Sequence, residues 1–221
     1  TAYTPYQAEL SQGTLQMIFD FQTLICQLTG MDVANASIYD GASALAEAAL
    51  MSARVTRRTR ICVSAGLHPH WREVLRTYTE GIGLTLETLD LDETGRTAIR
   101  PLPAATAAVI VQSPNFFGCI EELAAASEAA HAVGALAIAA TAEALSLALL
   151  RPPGELGCDI ACGEAQSFGL PLSFGGPYAG FLAAREKFVR QLPGRLIGES
   201  VDSTGQRAFV MTLRAREQDI R

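Results

Sequence analysis

Short apolar runs that resemble buried β-strands alternate along most of the chain with longer segments of helical periodicity. Strand-like runs occur at residues 60–64, 84–89, 107–112, 135–140, 159–162 and 178–184. Helices are expected at residues 12–29, 41–54, 69–80, 120–132, 143–150 and 185–191. Ser11 and Gly30 are placed to cap the first of these helices, and Asp40 is placed to cap the second. A chain that alternates in this way builds a mostly parallel sheet with helices on both faces. We therefore predict an α/β fold, a three-layer α/β/α sandwich.

The length and charge of the chain limit its domain organisation and its partners. The 221 residues are 49% hydrophobic, which is enough for the core of one large domain spanning residues 1–221. The formal net charge is −6, from 17 basic and 23 acidic residues, which disfavours nucleic acid and anionic membrane surfaces as partners. Its apolar runs are far shorter than the roughly 20 residues of a membrane span.

The two ends of the chain depart from the alternation. Residues 1–10 lack helical periodicity, and we expect an extended amino-terminal segment there. Residues 192–221 are expected to form a hairpin followed by the start of a further helix. Because the first residue is not methionine, we expect a fragment of a longer protein.

Cysteine spacing gives no sign of a metal site or a redox motif. The five cysteines, at positions 26, 62, 119, 158 and 162, form no CxxC pair. Cys158 and Cys162 would lie about 13 Å apart along a strand, too far to share a metal ion. Buried, reduced thiols are predicted instead, as is typical of a cytoplasmic protein.

Common catalytic and nucleotide-binding motifs are missing from the sequence. Neither GxGxxG nor GxxxxGK[ST] occurs, which disfavours a Rossmann or P-loop enzyme. The segment 41–43 starts like a nucleophile elbow but lacks the second glycine. His68 and His70 have no acidic partner nearby in sequence, so we predict no metal site. Glu121 and Glu122 lie at a predicted helix start, where solvated carboxylates are expected.

The stretch 158–181 joins two apolar runs by a loop rich in proline and glycine. Such a loop should lie at the carboxyl end of a strand, where α/β folds usually bind ligands. A domain of this kind that uses pyridoxal phosphate (PLP) needs a lysine, an acid for the pyridinium nitrogen and a helix start for the phosphate. Lys187 is the only lysine in the sequence, and it lies on the polar side of a predicted helix. We expect its side chain at the solvent-exposed surface.

Long segments from one end of the chain to the other resemble one known family. They are residues 3–16, 28–50, 167–183, 192–202 and 213–221, and they include the motifs YTPYQAELSQGTLQ and SFGLPLSFGGPYAGFLA. These segments resemble the glycine cleavage system P-proteins, which are glycine decarboxylases. Within that family they look most like subunit 1, the α subunit of two-subunit bacterial forms, which corresponds to the amino-terminal half of the fused enzyme.

The resemblance implies the large domain of a fold type I PLP-dependent transferase. It also implies a complex, expected to be α2β2, that decarboxylates glycine on PLP and passes the aminomethyl group to the lipoyl arm of the H-protein. In this family the cofactor lysine belongs to the partner, the PLP-bearing subunit 2 (β). This chain would then be a non-catalytic α subunit, inactive when isolated.

The family pattern implies that this chain carries a degenerate copy of the cofactor site. It places Gln166, which cannot form a Schiff base, where the lysine would stand. Asp40 would begin the helix that faces the phosphate, and a carboxylate about 4 Å from a phosphate charge costs roughly 4 kcal/mol at an effective dielectric near 20. Residues 139–142 replace the expected pyridinium aspartate, although Glu143 leaves that point open. The degenerate site consists of Asp40, Gly41, Ser43 and Gln166.

The same resemblance suggests residues that could reach the active site of the partner, because fold type I enzymes commonly complete each site with segments of the neighbouring subunit. The candidates are Tyr3, Thr4, Tyr6, Gln7, Ser11, Gln12 and Arg195. Two alternatives remain open at this point. One is a self-sufficient PLP-dependent aminotransferase or decarboxylase, and the other is a purely structural scaffold.

Overall fold

The computed structural model describes residues 11–213, which contain a seven-stranded sheet with helices on both sides. Its strands are β1 (Val33–Ala34), β2 (Arg60–Ser64), β3 (Thr85–Leu89), β4 (Thr106–Gln112), β5 (Leu136–Thr141), β6 (Ile160–Glu164) and β7 (Gly180–Ala184). Their order is β1-β7-β6-β5-β4-β2-β3. Strands from β6 to β3 pair in parallel, whereas β7 is antiparallel to both β6 and β1. The prediction of a mostly parallel sheet is confirmed.

Capping residues mark both ends of the first helix. The α-helices of the described part are α1 (Gln12–Thr29), α2 (Gly41–Thr56), α3 (Pro69–Glu80) and α4 (Leu123–Ala132). Helix α1 begins after Ser11, whose hydroxyl accepts a hydrogen bond from the Thr14 N–H, and it ends at Gly30 in the left-handed region. These caps match the preferences for a serine at the start and a glycine after the end of a helix. The predicted bounds of 12–29 are confirmed.

Different helices cover the two faces of the sheet. Successive residues of a strand point to opposite faces. In β5, Ile138 belongs to the core beneath α2 and α3, whereas Ala137 and Ala139 belong to the core beneath α1 and α4. Helix α2 packs through fully buried alanines, which allow a close approach to the sheet. The predicted three-layer sandwich is therefore present, with the sheet in the middle.

Three details differ from the sequence prediction. Helix α4 begins at Leu123 rather than at residue 120, because the Glu121 carboxylate is buried and accepts hydrogen bonds from the Thr97 N–H and the Asn115 amide. The expectation that Glu121 is solvated was therefore wrong. Predicted helices at 143–150 and 185–191 are shorter 3₁₀ turns at Ala144–Ala148 and Glu186–Gln191. The edge strand β1 is not among the strands that the sequence predicts.

The prediction of buried thiols holds for three of the five cysteines, whereas Cys26 and Cys119 are half-buried. All five are free thiols, and Cys62, Cys158 and Cys162 are buried. Burial raises the pKa of Cys158 to about 11 and that of Cys162 further. Among residues 11–213, none of the helices combines the length and apolar character that a membrane span requires.

The predicted hairpin is present and packs on α1. Its strands β8 (Leu196–Val201) and β9 (Arg207–Thr212) pair with each other apart from the main sheet. Two glutamine side chains of α1 each bond to both the N–H and the C=O of one hairpin residue, the same backbone groups that a neighbouring strand would bond to. Gln22 donates to the Ile197 carbonyl and accepts from the Ile197 N–H, both at 2.9 Å. Gln12 makes the same pair of bonds with Phe209, at 2.9 and 2.8 Å.

Replacing Gln22 by leucine is expected to destabilise the protein by about 2 kcal/mol. The N–H and C=O of Ile197 would both lose the hydrogen bonds that the Gln22 side chain makes to them, and both residues are buried. Urea unfolding of the purified variant gives the free energy directly. The matched control is Gln27→Leu, since Gln27 is exposed on the same helix. Equal stability of the two variants would contradict the anchoring role of Gln22.

Candidate functional site

The candidate site lies at the carboxyl edge of the parallel strands, between the end of β6 and the start of α2. Residue Glu164 ends β6 and pairs in register with Gly180, the first residue of β7. Gly180 also bridges to Ile38, just before α2. A Cβ on Gly180 would lie less than 3.0 Å from the Asp40 carbonyl. This glycine therefore lets the start of α2 press directly against the sheet.

Asp40 caps α2, as the sequence predicted. Its backbone is extended, and its carboxylate accepts hydrogen bonds from the Ser43 N–H at 2.7 Å and from the Ser43 hydroxyl at 3.0 Å. A carboxylate at this point is favoured by the partial positive charge of a helix start. Both hydrogen-bond donors of Ser43, its N–H and its hydroxyl, are therefore bound to Asp40.

Glu164 is the residue that the sequence analysis missed. One carboxylate oxygen accepts from the Gly41 N–H of α2 at 2.9 Å. The other accepts from the Gln166 N–H at 3.0 Å and from the Ala179 N–H at 2.9 Å. The available signal was an acidic residue directly after a buried apolar run, but the predicted strand stopped at Cys162. The start of α2 thus faces two carboxylates of the chain itself.

Gln166 begins a 3₁₀ turn, Gln166–Phe168, immediately after this point. Its side-chain nitrogen is buried and has no hydrogen-bond partner among the described residues. A Cβ on Gly176 would lie 2.7 Å from that nitrogen, so the glycine-rich end of the loop closes over the Gln166 amide. The loop therefore packs around an amide at the position where the resemblance implies a lysine in other subunits.

An open cleft of about 210 Å³ adjoins these residues. It is lined by Ala142, Glu143, Glu164, Gln166, Ser167, Leu170 and Leu172. The Glu143 carboxylate accepts from the Leu145 N–H at 3.1 Å and so caps the 3₁₀ turn that follows β5. Small-molecule sites usually enclose about 300 to 1,000 Å³, so this cleft is small for a cofactor.

Trp71 packs against the start of α2, and His68 and Phe116 form an aromatic contact close to Trp71 in the chain or in space. The Trp71 ring packs so tightly on Gly41 that a Cβ there would come within 3.0 Å of it. The His68 ring contacts the Phe116 ring edge to face, with centroids 5.1 Å apart. Burial, and then the nearby His70, lower the pKa of His68. Residues 11–213 contain no cluster of three or more potential metal ligands.

These residues do not fit pyridoxal phosphate. The helix start that would receive a phosphate is already bound by the Asp40 and Glu164 carboxylates. The single lysine, Lys187, lies at the opposite edge of the sheet, where its Nζ is 3.2 Å from an oxygen of Asp159, the residue before β6. Its side chain is 64% exposed, which confirms the predicted surface position.

The candidates for partner contact fall into two groups. Tyr3, Thr4, Tyr6 and Gln7 lie outside the described residues, so the prediction for them is unchanged. The remaining three make contacts within the chain. The side chains of Ser11 and Gln12 bond to α1 and to β9, respectively, while Arg195 is exposed and its carbonyl accepts from the Ala36 N–H. A role of these three residues at a partner's site stays a prediction.

Comparison with known proteins identifies relatives along the whole chain. The family model described as glycine cleavage system P-protein matches residues 1–221. The chain is 54% identical to the probable glycine dehydrogenase (decarboxylating) subunit 1 of Desulforamulus reducens and 56% identical to that of Moorella thermoacetica. Each match covers 100% of this chain and 50% of the relative. The chain therefore spans about half the length of the curated relatives that it matches.

Solved structures agree with the sequence comparison. A crystal structure of glycine decarboxylase (P-protein) of the glycine cleavage system, in inhibitor-bound form, superposes with a TM-score of 0.92 at 54% identity. That match covers 98% of this chain and 49% of the other. A sphingosine-1-phosphate lyase of Burkholderia pseudomallei, at 17% identity and a TM-score of 0.68, shares the fold over 92% of this chain and 51% of its own. The chain belongs to the glycine cleavage system P-protein family.

Proposed function

We propose that this chain is part of the non-catalytic α subunit of a glycine decarboxylase, and that it supports a PLP-bearing sister, subunit 2. The observation that carries the proposal is Gln166. The Gln166 side chain, an amide, stands at the start of the loop that follows β6. The single lysine of the sequence, Lys187, pairs with Asp159 at the other edge of the sheet. In the part of the chain that the structure describes, no lysine amine lies near the candidate site to hold the cofactor covalently.

The charge at the start of α2 supports the same proposal. A helix start normally favours an anion, because its backbone N–H groups point outward and carry partial positive charge. Here the Gly41 N–H donates to Glu164 and the Ser43 N–H donates to Asp40. A phosphate brought to this helix would meet two negative charges, and its best donors are already in use.

In the proposed complex, chemistry takes place on the partner subunit. Glycine is decarboxylated there with PLP, and the aminomethyl group passes to the lipoyl arm of the H-protein. The assembly is α2β2 in the cytoplasm. This chain supports the active site of the partner, and its residues 3–12 and Arg195 are the segments proposed to contact that site.

Reduction with borohydride tests where the cofactor is attached. The α subunit that contains this chain is co-expressed with subunit 2, saturated with PLP and reduced, and the tryptic peptides are analysed by mass spectrometry. We expect a stoichiometric pyridoxyl adduct on the partner and none on the peptide that contains Lys187. The partner peptide in the same digest is the positive control.

A stoichiometric adduct on Lys187 would overturn the proposal in favour of a self-sufficient PLP enzyme. Glycine-dependent release of CO2 with H-protein, measured with and without the α subunit, supplies the second readout. Activity of subunit 2 that does not depend on the α subunit would remove the supporting role.

A further inference from the structure

Glu164 makes three hydrogen bonds to backbone N–H groups of three different segments. They come from Gly41 at the start of α2, from Gln166 just after β6, and from Ala179 just before β7, at 2.9 to 3.0 Å. Hydrogen bonds from backbone N–H groups to a carboxylate are charge-assisted and stronger than those between neutral groups. One side chain therefore connects a helix start to both ends of a loop.

Residues 166–179 form the loop between those two ends, and several of them adopt backbone conformations of high energy. Five of its residues, Gly169, Ser173, Phe174, Gly175 and Gly176, adopt positive φ angles, and two of these are not glycine. Left-handed conformations cost about 1 kcal/mol or more for residues with a Cβ. The loop also exposes large apolar side chains at Leu172 and Phe174. A loop of this kind keeps one conformation only if contacts outside it fix its ends.

Backbone bonds also hold the chain at the ends of the loop, because Gly180, the residue after it, exchanges two backbone hydrogen bonds with Ile38 at 2.8 Å each. Inside the loop, the N–H groups of Leu170 and Gly175 donate to nearby loop carbonyls. At its base, the Ala165 N–H donates to the Ala179 carbonyl at 2.8 Å. Glu164 adds the bonds to Gln166 and Ala179, and it alone among these joins the loop to α2.

We propose that Glu164 is a built-in anion that takes the place of a bound ligand anion at the start of α2 and holds loop 166–179 in position. Helix starts of this kind are ready-made anion sites. In this chain the Glu164 carboxylate occupies the anion position at the start of α2. The contacts that hold the loop therefore come from the chain itself. This inference concerns the chain alone and stands apart from the choice of catalytic partner.

The test is hydrogen exchange of the purified α subunit with Glu164→Ala. We expect exchange at the Gln166 and Ala179 amides to become about tenfold faster, because each loses its acceptor. Addition of acetate should restore part of the protection, since a small carboxylate can enter the adjacent cleft. PLP added to the unmodified subunit should leave the exchange of both amides unchanged.

Glu143→Ala is the matched control, because Glu143 lines the same cleft and its carboxylate accepts one hydrogen bond, from the Leu145 N–H. It should speed exchange at Leu145 and leave Gln166 and Ala179 unchanged. Glu164→Gln covers the case in which the alanine variant does not fold. Its amide nitrogen must face either Gly41 or the loop amides, so one of the two sides should lose protection.

Three results would overturn the proposal. The first is unchanged exchange at Gln166 and Ala179 in Glu164→Ala or, where that variant does not fold, unchanged exchange at all three of Gly41, Gln166 and Ala179 in Glu164→Gln. The second is a loss of protection that acetate does not reverse, which would assign the effect to packing rather than to negative charge. The third is protection in the unmodified subunit that rises on addition of PLP.

Discussion

Replacing Gly180 by alanine should destabilise the protein by at least about 3 kcal/mol. A Cβ at this position would lie less than 3.0 Å from both the carbonyl oxygen and the carbonyl carbon of Asp40. That carbonyl also accepts the first bond of α2, from the Ala44 N–H at 2.9 Å. The methyl group can therefore be accommodated only by moving a helix start or an inner strand, which is more costly than the shift of a flexible side chain.

Urea unfolding of Gly180→Ala measures this loss, and Gly81→Ala is its control. Gly81 follows α3 with φ of −68°, and a Cβ there would meet nothing within 4 Å. The control should be neutral or more stable by about 0.5 kcal/mol, because alanine restricts the unfolded chain. If the two variants are equally stable, the close contact between β7 and the start of α2 is not present in solution.

Replacing Arg185 by methionine should cost about 3 kcal/mol. The Arg185 guanidinium donates to the carbonyls of Gly30, which follows α1, and of Gly154 and Cys158, which lie in the turn before β6. Methionine keeps the apolar stem of the side chain but removes every donor, so three carbonyls lose a charge-assisted partner. The loss should appear as a lower urea midpoint with an unchanged slope.

Two further variants distinguish the contribution of the hydrogen-bond donors of Arg185 from that of its positive charge. Arg185→Lys keeps the positive charge but not the planar set of donors, and it should recover only part of the loss. Arg190→Met removes an exposed arginine of the neighbouring 3₁₀ turn and should be close to neutral. A fully stable Arg185→Lys variant would show that charge, and not the pattern of donors, links these segments.

Local signals in the sequence were sufficient for most of the secondary structure. Helix α1 was predicted from Ser11, Gly30 and the spacing of its apolar residues, and its bounds agree with the structure. Asp40 was predicted as the cap of α2 for the same reason. Such caps involve residues that are close in the chain, so their chemistry is visible without the tertiary fold. The alternation of strands and helices then limited the topology to a mostly parallel sheet.

Contacts between distant residues were not predicted. Glu164 reaches Gly41 across 123 residues, and this depends on the register between β6 and β7 and on the position of α2. Glu121 looked like a solvated helix-start residue because its bonds to Thr97, in another loop, and to Asn115, six residues earlier, depend on how these loops fold together. A sequence pattern can mark the residue type that suits such a contact, but it does not place the second partner.

The attachment of the β8–β9 hairpin to α1 has a consequence for how the sequence of the hairpin can vary. Gln12 and Gln22 bond to the main-chain groups of Phe209 and Ile197, not to their side chains. Every amino acid except proline presents those two groups in the same way. The alignment of the hairpin on the helix is thus independent of residue identity at positions 197 and 209. Apolar side chains there set the strength of the association, while the glutamines set its register.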